Sequence, residues 1–341
     1  MFTNSLCTIV QRNCNIADAK YAANYTLCTY LMKMREFCRW DKGYSYNELM
    51  PKEEVGEWVS QRESLWDQLE EESYAPIKID GHAFDPFETE AINSALLPKG
   101  MVYSGGIGAR CAPHFFLGKL LSSEVHDNHQ VIVSSEECAR DLGAPPAMTL
   151  GNTIFIRRES IRRMLWEKMQ EWRWHKIENP MSKAFSFYDF DNDTEAALDE
   201  MAEVELNSII LHEKGEINTT HVLGPAWKEY LATLNNARLE LMLRSAKDLF
   251  ADASITLPAL IAENNLASIH FFAGNMSSLR KQLSPSFQAS YQTWRSTEDI
   301  RSLSEWADNS ARHWQEVLML ILASQNKTDK EIEKLLEEST L

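Results

Sequence analysis

Apolar residues recur at intervals of three and four along most of the chain, a pattern that predicts amphipathic helices. The first such stretch runs from Asp18, a predicted cap, to about Trp40. Leu27 and Leu31 lie on its predicted buried face, and Glu36 lies on the opposite, solvated face. A second helix is expected over 52–72. We expect these N-terminal helices, residues 1–75, to pack on the main body of the protein.

The pattern changes over residues 76–156, where proline and glycine are frequent. Ser134 and Glu137 have the spacing of a capping box, which predicts a short helix in this region. We therefore predict a small mixed α/β insert. The three β-like runs in it cover 101–104, 131–134 and 153–156.

Helical periodicity resumes in residues 157–341, which we predict to form a helical domain. One helix is expected from Thr194 to Lys214, with Gly215 just past its end. A second is expected from Pro225 to Asp252, and a third from Pro258 to Leu283. The predicted fold class is mainly α: a multi-helix globular bundle with a small mixed α/β insert.

Composition and charge narrow the class of protein. The chain has 341 residues, of which 44% are hydrophobic and 25% charged, as in soluble globular proteins. Its formal net charge of −16 disfavours nucleic acid and anionic membrane surfaces as partners. No run of about eighteen apolar residues predicts a membrane span. Six cysteines without CxxC spacing indicate reduced thiols, so we expect a cytoplasmic protein.

Candidate chemistry comes from polar residues on apolar helix faces. On the helix from Thr194, Glu205 and His212 fall within the predicted buried arc. A buried carboxylate is costly unless it is paired, protonated or bound to a cation. The two residues are two turns apart, about 10.5 Å along the axis, so both side chains point the same way.

The helix from Pro225 carries a second set of polar residues on its apolar face. Asp248 and Asp252 lie one turn apart, and Arg238 shares their face. Two helices that direct imidazole and carboxylate groups inward are typical of a metal site in a bundle. These ligand types favour iron or manganese, with zinc a weaker alternative.

We therefore assign Glu205, His212, Asp248 and Asp252 as candidate metal ligands. Arg238 would orient a carboxylate or an anionic small-molecule substrate. The function hypothesis is a non-haem metal-dependent enzyme, with an oxidase or oxygenase ahead of a hydrolase.

The stretch from His212 to Glu216 suggests the hydrolase alternative. It has the pattern H-E-x-x-E, close to the H-E-x-x-H of zinc hydrolases, in which Glu213 would act as the base. Gly215 is expected to end the helix and to move Glu216 off the ligand face.

Two resemblances extend this interpretation. The Glu205-x6-His212 pair resembles the first ligand pair of haem-oxygenase-like dimetal oxidases, which implies a helical oxidase or oxygenase with a diiron centre. The resemblance covers one helix. The amino-acid sequence of residues 25–28, 34–37 and 211–216 also resembles that of an uncharacterised bacterial family of unknown function. This resemblance implies a bacterial protein.

A hypothesis from a different class remains open. Arg238 could pair with Asp248 or Asp252. His212 could hydrogen-bond Glu205 through water, or it could bind a backbone carbonyl instead. The inward polar groups would then form a buried network that fixes helix register. The protein would be a non-catalytic interaction or assembly protein.

Overall fold

The computed structural model describes residues 2–108, 112–126, 128–175, 177–324 and 326–341. These residues form two compact units, and both are built from two segments of the chain. The first unit comprises Met1–Lys168 and Phe190–Ala202, and the second comprises Met169–Asp189 and Glu203–Leu341.

Three helices open the first unit: α1 (Phe2–Tyr21), α2 (Leu27–Lys42) and α3 (Lys52–Leu69). The helix predicted from Asp18 to Trp40 is therefore two helices, separated by a short 3₁₀ turn at Ala22–Asn24. Asp18 is no cap: its buried carboxylate accepts a hydrogen bond from the backbone N–H of Leu142 at 3.0 Å.

The predicted buried face of α2 was partly wrong. Leu27 and Leu31 are 71% and 52% exposed, whereas Glu36 is only 5% exposed. Glu36 is buried because Arg39, one turn later, donates to it at 2.9 Å. Apolar periodicity cannot reveal a buried ion pair, so it assigned Glu36 to solvent.

Among the described residues, seven strands and one helix follow: β1 (Ile77–Ile79), β2 (His82–Phe84), α4 (Thr89–Leu96), β3 (Met101–Ile107), β4 (Pro113–Val125), β5 (Gln130–Arg140), β6 (Ala147–Leu150) and β7 (Thr153–Arg157). Five of the described strands form a sheet in the order β3-β4-β5-β7-β6, and β1 and β2 form a separate hairpin. Neighbouring strands are antiparallel except β5 and β7, which are parallel.

This sheet confirms the mixed α/β insert and all three predicted β-like runs. The short helix predicted from Ser134 and Glu137 is wrong, because both residues lie inside β5. Glu137 points inward and accepts two hydrogen bonds from Arg157 at 2.9 and 2.6 Å. The Glu137 side chain is thus engaged in an ion pair between two strands and does not cap a helix.

Helices form the second unit and confirm the mainly α fold. They are α5 (Arg158–His175), which begins in the first unit, α6 (Pro180–Phe185), α7 (Thr194–Leu223), which also begins in the first unit, α8 (Pro225–Thr233), α9 (Ala237–Ala251), α10 (Leu257–Ala262), α11 (Leu266–Asn275), α12 (Ser278–Leu283), α13 (Pro285–Thr297), α14 (Arg301–Leu322) and α15 (Asp329–Glu338). Apolar residues of α8 to α15, together with Leu223 at the end of α7, form one core around Leu243, Phe287 and Trp314, each at most 2% exposed.

Three predicted helix boundaries were wrong. The helix from Thr194 continues through Gly215 to Leu223. The helix predicted from Pro225 to Asp252 is divided into α8 and α9, because Asn236 caps α9 by accepting from the N–H groups of Arg238 and Leu239. The helix predicted from Pro258 to Leu283 is three short helices.

Between α9 and α10 the backbone forms a π-helical turn, Asp252–Thr256. Pro258 follows two residues later and has no N–H group to continue a regular helical ladder. Such turns occur frequently at functional sites. Among the described residues, no helix combines the length and apolar character needed to span a membrane.

Candidate metal centre

The centre of the candidate site is His212, on α7. Its Nδ1 lies 2.7 Å from Oδ1 of Asp252, and its Nε2 lies 3.5 Å from Oε1 of Glu216. Asp252 is 1% exposed and also accepts from the Thr256 hydroxyl at 3.0 Å. This buried carboxylate fixes the imidazole ring with Nε2 directed toward Glu216.

Glu216 reaches the site because α7 does not end at Gly215. A Cβ atom at Gly215 would lie 2.7 Å from the carbonyl oxygen of Ala251, so glycine lets α7 and α9 approach closely. The helix therefore places Glu216 one turn after His212 on the same face. The expectation that Gly215 removes Glu216 from this face was wrong. Oε2 of Glu216 is 2.7 Å from Nζ of Lys247 on α9.

Asp248 and Asp252, at the end of α9 and the start of the π turn, face Arg280 on α12. Nη1 of Arg280 lies 3.7 Å from Oδ2 of Asp248 and 3.1 Å from Oδ2 of Asp252. Arg280 is largely buried, with 12% of its side chain exposed. The two aspartates thus share one guanidinium.

One ligand atom each from His212, Glu216 and Asp248 lie within 4.8 Å of one another. All three residues are half-buried. The structure therefore unites three residues on α7 and α9, two of which the sequence had assigned as ligands. Asp252, which the sequence analysis also assigned as a ligand, contacts Nδ1 of His212 instead.

The charges of this cluster are strongly coupled. Burial disfavours the imidazolium, but the Asp252 carboxylate outweighs burial and raises the pKa of His212 well above its ordinary value. Burial opposes ionisation of Glu216 and Asp252 as well. For Glu216, His212 and Lys247 outweigh burial and lower its pKa. His212 and Arg280 likewise outweigh burial at Asp252 and lower the pKa of that carboxylate.

Asp248 behaves differently from its neighbours. Burial raises its pKa; His212 and Arg280 act in the opposite direction, but the nearby Glu216 and Asp252 carboxylates counter them in part, so the net shift stays upward. Asp248 is therefore the carboxylate of the cluster whose charge is least compensated. A bound cation would stabilise its ionised form.

Glu205 lies apart from this cluster, at a separate buried position. It is 0% exposed, and its Oε1 accepts from the Ser268 hydroxyl at 2.9 Å. Burial raises the pKa of Glu205 to about 8, so the carboxyl carries a proton at neutral pH. Its Oε2 has no hydrogen-bond partner among the residues that the structure describes. The structure does not bring Glu205 to the group formed by His212, Glu216 and Asp248.

The two predicted catalytic residues are Arg238 and Glu213, and neither belongs to the group formed by His212, Glu216 and Asp248. Arg238 is in the first turn of α9, 68% exposed, and pairs with Glu337 at 2.9 Å. It lies ten residues, about 15 Å along the helix axis, from Asp248. Glu213 follows His212 directly on α7 and is half-buried.

Sequence reasoning missed Lys247 and Arg280. Lys247 directly precedes a predicted ligand, and Arg280 lies in a stretch that was treated as one long helix. The spacing of His212 and Glu216 was visible, but the wrong helix end at Gly215 concealed its meaning.

The fold and site define a mainly helical protein with an open ionic cluster between two of its helices. The models of a family of unknown function, DUF6866, match almost the whole chain: the N-terminal domain over residues 5–157 and the C-terminal domain over residues 162–340. The chain belongs to this family, which confirms the resemblance to an uncharacterised family. No curated protein and no solved structure matches the chain.

Proposed function

We propose that this protein is a non-haem metal-dependent enzyme that holds one divalent cation through His212 Nε2, Glu216 and Asp248. The observation that carries the proposal is the convergence of one ligand atom each from His212, Glu216 and Asp248 within 4.8 Å. Imidazole and carboxylate ligands together favour iron or manganese over zinc. The diiron centre implied by the resemblance of the Glu205-x6-His212 pair is not part of the proposal, because Glu205 is not among these three converging residues.

The partners of each proposed ligand support this assignment. Asp252 accepts from Nδ1–H of His212, the arrangement that orients metal-binding histidines and fixes their tautomer. Lys247 holds one oxygen of Glu216, and Arg280 faces one oxygen of Asp248. Each carboxylate therefore keeps its other oxygen for a cation. Such outer partners are a general requirement of metal sites.

Three protein ligands leave coordination positions for a substrate and a co-substrate. Sites of this kind, with open positions around iron, are used by oxygenases. Side-chain exposures of 28% for His212 and 30% for Glu216 and Asp248 give small molecules access. We therefore propose an oxidase or oxygenase acting on a small molecule.

The second candidate function is a non-catalytic interaction or assembly protein. It is favoured by the balance of charge, because protonated His212, Lys247 and Arg280 face the carboxylates of Glu216, Asp248 and Asp252. Such a network needs no ion and would fix the packing of the helices.

Metal analysis separates the two functions. The untagged protein would be expressed, reconstituted with Fe²⁺ or Mn²⁺ under argon, desalted and measured by mass spectrometry. We expect close to one metal ion per chain, and a loss of at least tenfold in affinity for His212→Ala and Asp248→Asn. The matched controls are His221→Ala, at an exposed histidine near the end of the same helix, and the exposed Asp308→Asn.

The outcome decides between the classes of function. Less than about a tenth of an equivalent, unchanged in both site variants, would exclude the enzyme. If metal binds, oxygen consumption by the iron form supports an oxidase or oxygenase. A protein that selects zinc and consumes no oxygen would instead favour the hydrolase, with Glu213 as base.

A further inference from the structure

The first half of α2 carries an apolar face that no described residue buries. Leu27 and Leu31, one turn apart on this helix, are exposed, whereas Met34 and Cys38, further along the same face, are 0% exposed. The second half of the face packs in a core that α2 shares with α3. One continuous apolar face therefore begins in solvent and ends in the core.

A groove of about 550 Å³ lies beside the exposed half of this face, a volume within the range of pockets that bind ligands, about 300–1,000 Å³. Its apolar lining comes from α1, the 3₁₀ turn, α2 and α3: Ala19, Ala22, Ala23, Leu27, Tyr30 and Trp66. Because alanine side chains are short, this lining leaves room for larger apolar side chains of a partner.

Three carboxylates line the same groove. Glu63, Asp67 and Glu70 follow one another at intervals of four and three residues along α3, so they share one face of that helix. The described lining contains no basic side chain, and the ion pairs of the described residues include none with these three acids. The Tyr30 hydroxyl donates to Glu63 at 2.8 Å. The groove thus combines an apolar lining with negative charge that no described cation compensates.

We propose that this groove is the docking site of a cationic amphipathic helix from another protein. The apolar side of such a helix would cover Leu27, Leu31 and the groove lining, and its Lys or Arg side chains would meet the three carboxylates of α3. Exposed apolar patches with a polar rim are typical of interaction sites.

A second copy of this chain is a poorer occupant than a basic helix. Two-fold pairing through this face would bring the same three carboxylates of both copies to one interface. The net charge of −16 adds to the repulsion between copies.

The docking site is separate from the proposed metal centre, because all of its residues belong to the first unit. It also explains why the apolar periodicity of α2 failed to predict burial. Leu27 and Leu31 have the spacing of buried residues, and the partner that buries them is another molecule.

Titration of the full chain with designed peptides tests this assignment. The probe is a fluorescein-labelled peptide of about five helical turns, made of Leu and Lys with Leu at i, i+3, i+4 and i+7, and binding is measured by fluorescence anisotropy. One control peptide has the same composition in scrambled order, and another has Glu in place of every Lys. We expect saturable binding of the probe, about tenfold or more tighter than that of either control peptide.

Variants locate the site. Leu27→Ser/Leu31→Ser and Asp67→Asn/Glu70→Gln should each weaken binding of the probe about tenfold, because they remove the apolar and the charged half of the contact. All four residues are exposed, so we expect native circular dichroism spectra. The matched controls, Leu320→Ser at a leucine equally exposed on α14 and Glu305→Gln/Asp308→Asn on the same helix, should leave binding unchanged.

Three results would overturn the docking site. The first is equal affinity of the native chain for the probe and for either control peptide, which requires no variant. The second is unchanged affinity of the Leu27→Ser/Leu31→Ser chain for the probe. The third is a native dimer, measured by light scattering, that this double substitution dissociates, because a second copy would then cover the face.

Discussion

Two ionic networks, one in each unit, differ in how completely they are closed. In the first unit, Glu137 and Arg157 are 0% and 2% exposed, and Arg157 donates to both carboxylate oxygens of Glu137. The Ser160 hydroxyl adds a further hydrogen bond at 2.5 Å to Glu137. In the second unit, His212 and Glu216 remain 28% and 30% exposed.

The difference shows how to separate a structural network from a candidate site. Burial alone does not do so, since both networks lie on the inner sides of their elements. The Glu137 network satisfies both oxygens of its carboxylate with protein donors. In the cluster around His212, one ligand atom each from His212, Glu216 and Asp248 lie within 4.8 Å of one another, and the three side chains remain partly exposed.

The largest expected effect comes from breaking the closed network. Arg157→Met should lower the free energy of unfolding of the first unit by about 3–5 kcal/mol, because it leaves the Glu137 carboxylate buried without a counter-charge. Urea unfolding followed by circular dichroism measures the change. The neighbouring Arg158→Met is the control, since Arg158 pairs with a half-exposed Asp199. A loss below about 1 kcal/mol for Arg157→Met would contradict a closed structural pair.

A second prediction concerns the pH dependence caused by Glu205. Its pKa in the folded protein, about 8, lies above the ordinary value of 4.5. Its contribution to stability is therefore fully present below about pH 4.5 and is lost as the pH rises through 8. Glu205→Gln resembles the protonated acid and should be more stable than the native chain above pH 8, by on the order of 3 kcal/mol.

Urea unfolding at pH 5, 7 and 9 tests this effect, with the exposed Glu229→Gln as its control. Parallel pH profiles for Glu205→Gln and the native chain would show that Glu205 titrates normally. Metal content should not change in Glu205→Gln, because Glu205 is outside the proposed ligand set. A loss of metal would restore the original assignment of Glu205 as a ligand.

A third prediction concerns the packing that brings Glu216 into the site. Gly215→Ala should cost about 1–3 kcal/mol, because its Cβ would meet the Ala251 carbonyl oxygen at 2.7 Å. It should also weaken metal binding by separating α7 from α9. Gly56→Ala, in α3, is the matched control: its Cβ meets nothing within 4 Å, so this substitution should stabilise the helix. Equal effects of the two substitutions on stability would refute the close-packing role of Gly215.

The smallest expected effect is that of Arg238→Ala. Arg238 and Glu337 are 68% and 55% exposed, so their ion pair contributes little to stability. We expect unchanged stability and unchanged metal content, measured as above. A loss of metal or of oxygen consumption would show that Arg238 acts at the site, as the sequence had suggested.

Much of the fold could be predicted from periodicity, and two of the failures concern buried ion pairs. The mainly helical fold, the mixed insert and its β-like runs follow from local patterns of apolar residues. Glu36 and Glu137 were misplaced because an arginine compensates the burial of each: Arg39, one turn later on the same helix, for Glu36, and Arg157, on a neighbouring strand, for Glu137. The pairing of Glu137 with Arg157 depends on strand pairing, which a single sequence does not show.

The same reasoning explains what was found of the candidate site. His212, Asp248 and Asp252 were identified because polar residues on an apolar helix face are conspicuous in the sequence. Glu216 was set aside because glycine is the usual residue after a helix end. The close approach of α7 and α9 is a different reason for a glycine, and only tertiary structure reveals it. Glu205 was correctly predicted to be buried, but a proton and the Ser268 hydroxyl accommodate it there.

Anomalous diffraction from crystals of the manganese-reconstituted protein tests the central claim most directly. The account predicts one strong peak at the manganese edge, about 2.0–2.3 Å from Nε2 of His212 and from one carboxylate oxygen each of Glu216 and Asp248. In the same crystals Nδ1 of His212 should still face Asp252. A map with no peak among these residues, and Lys247 and Arg280 still paired with Glu216 and Asp252, would contradict the claim and leave the cluster as a structural network.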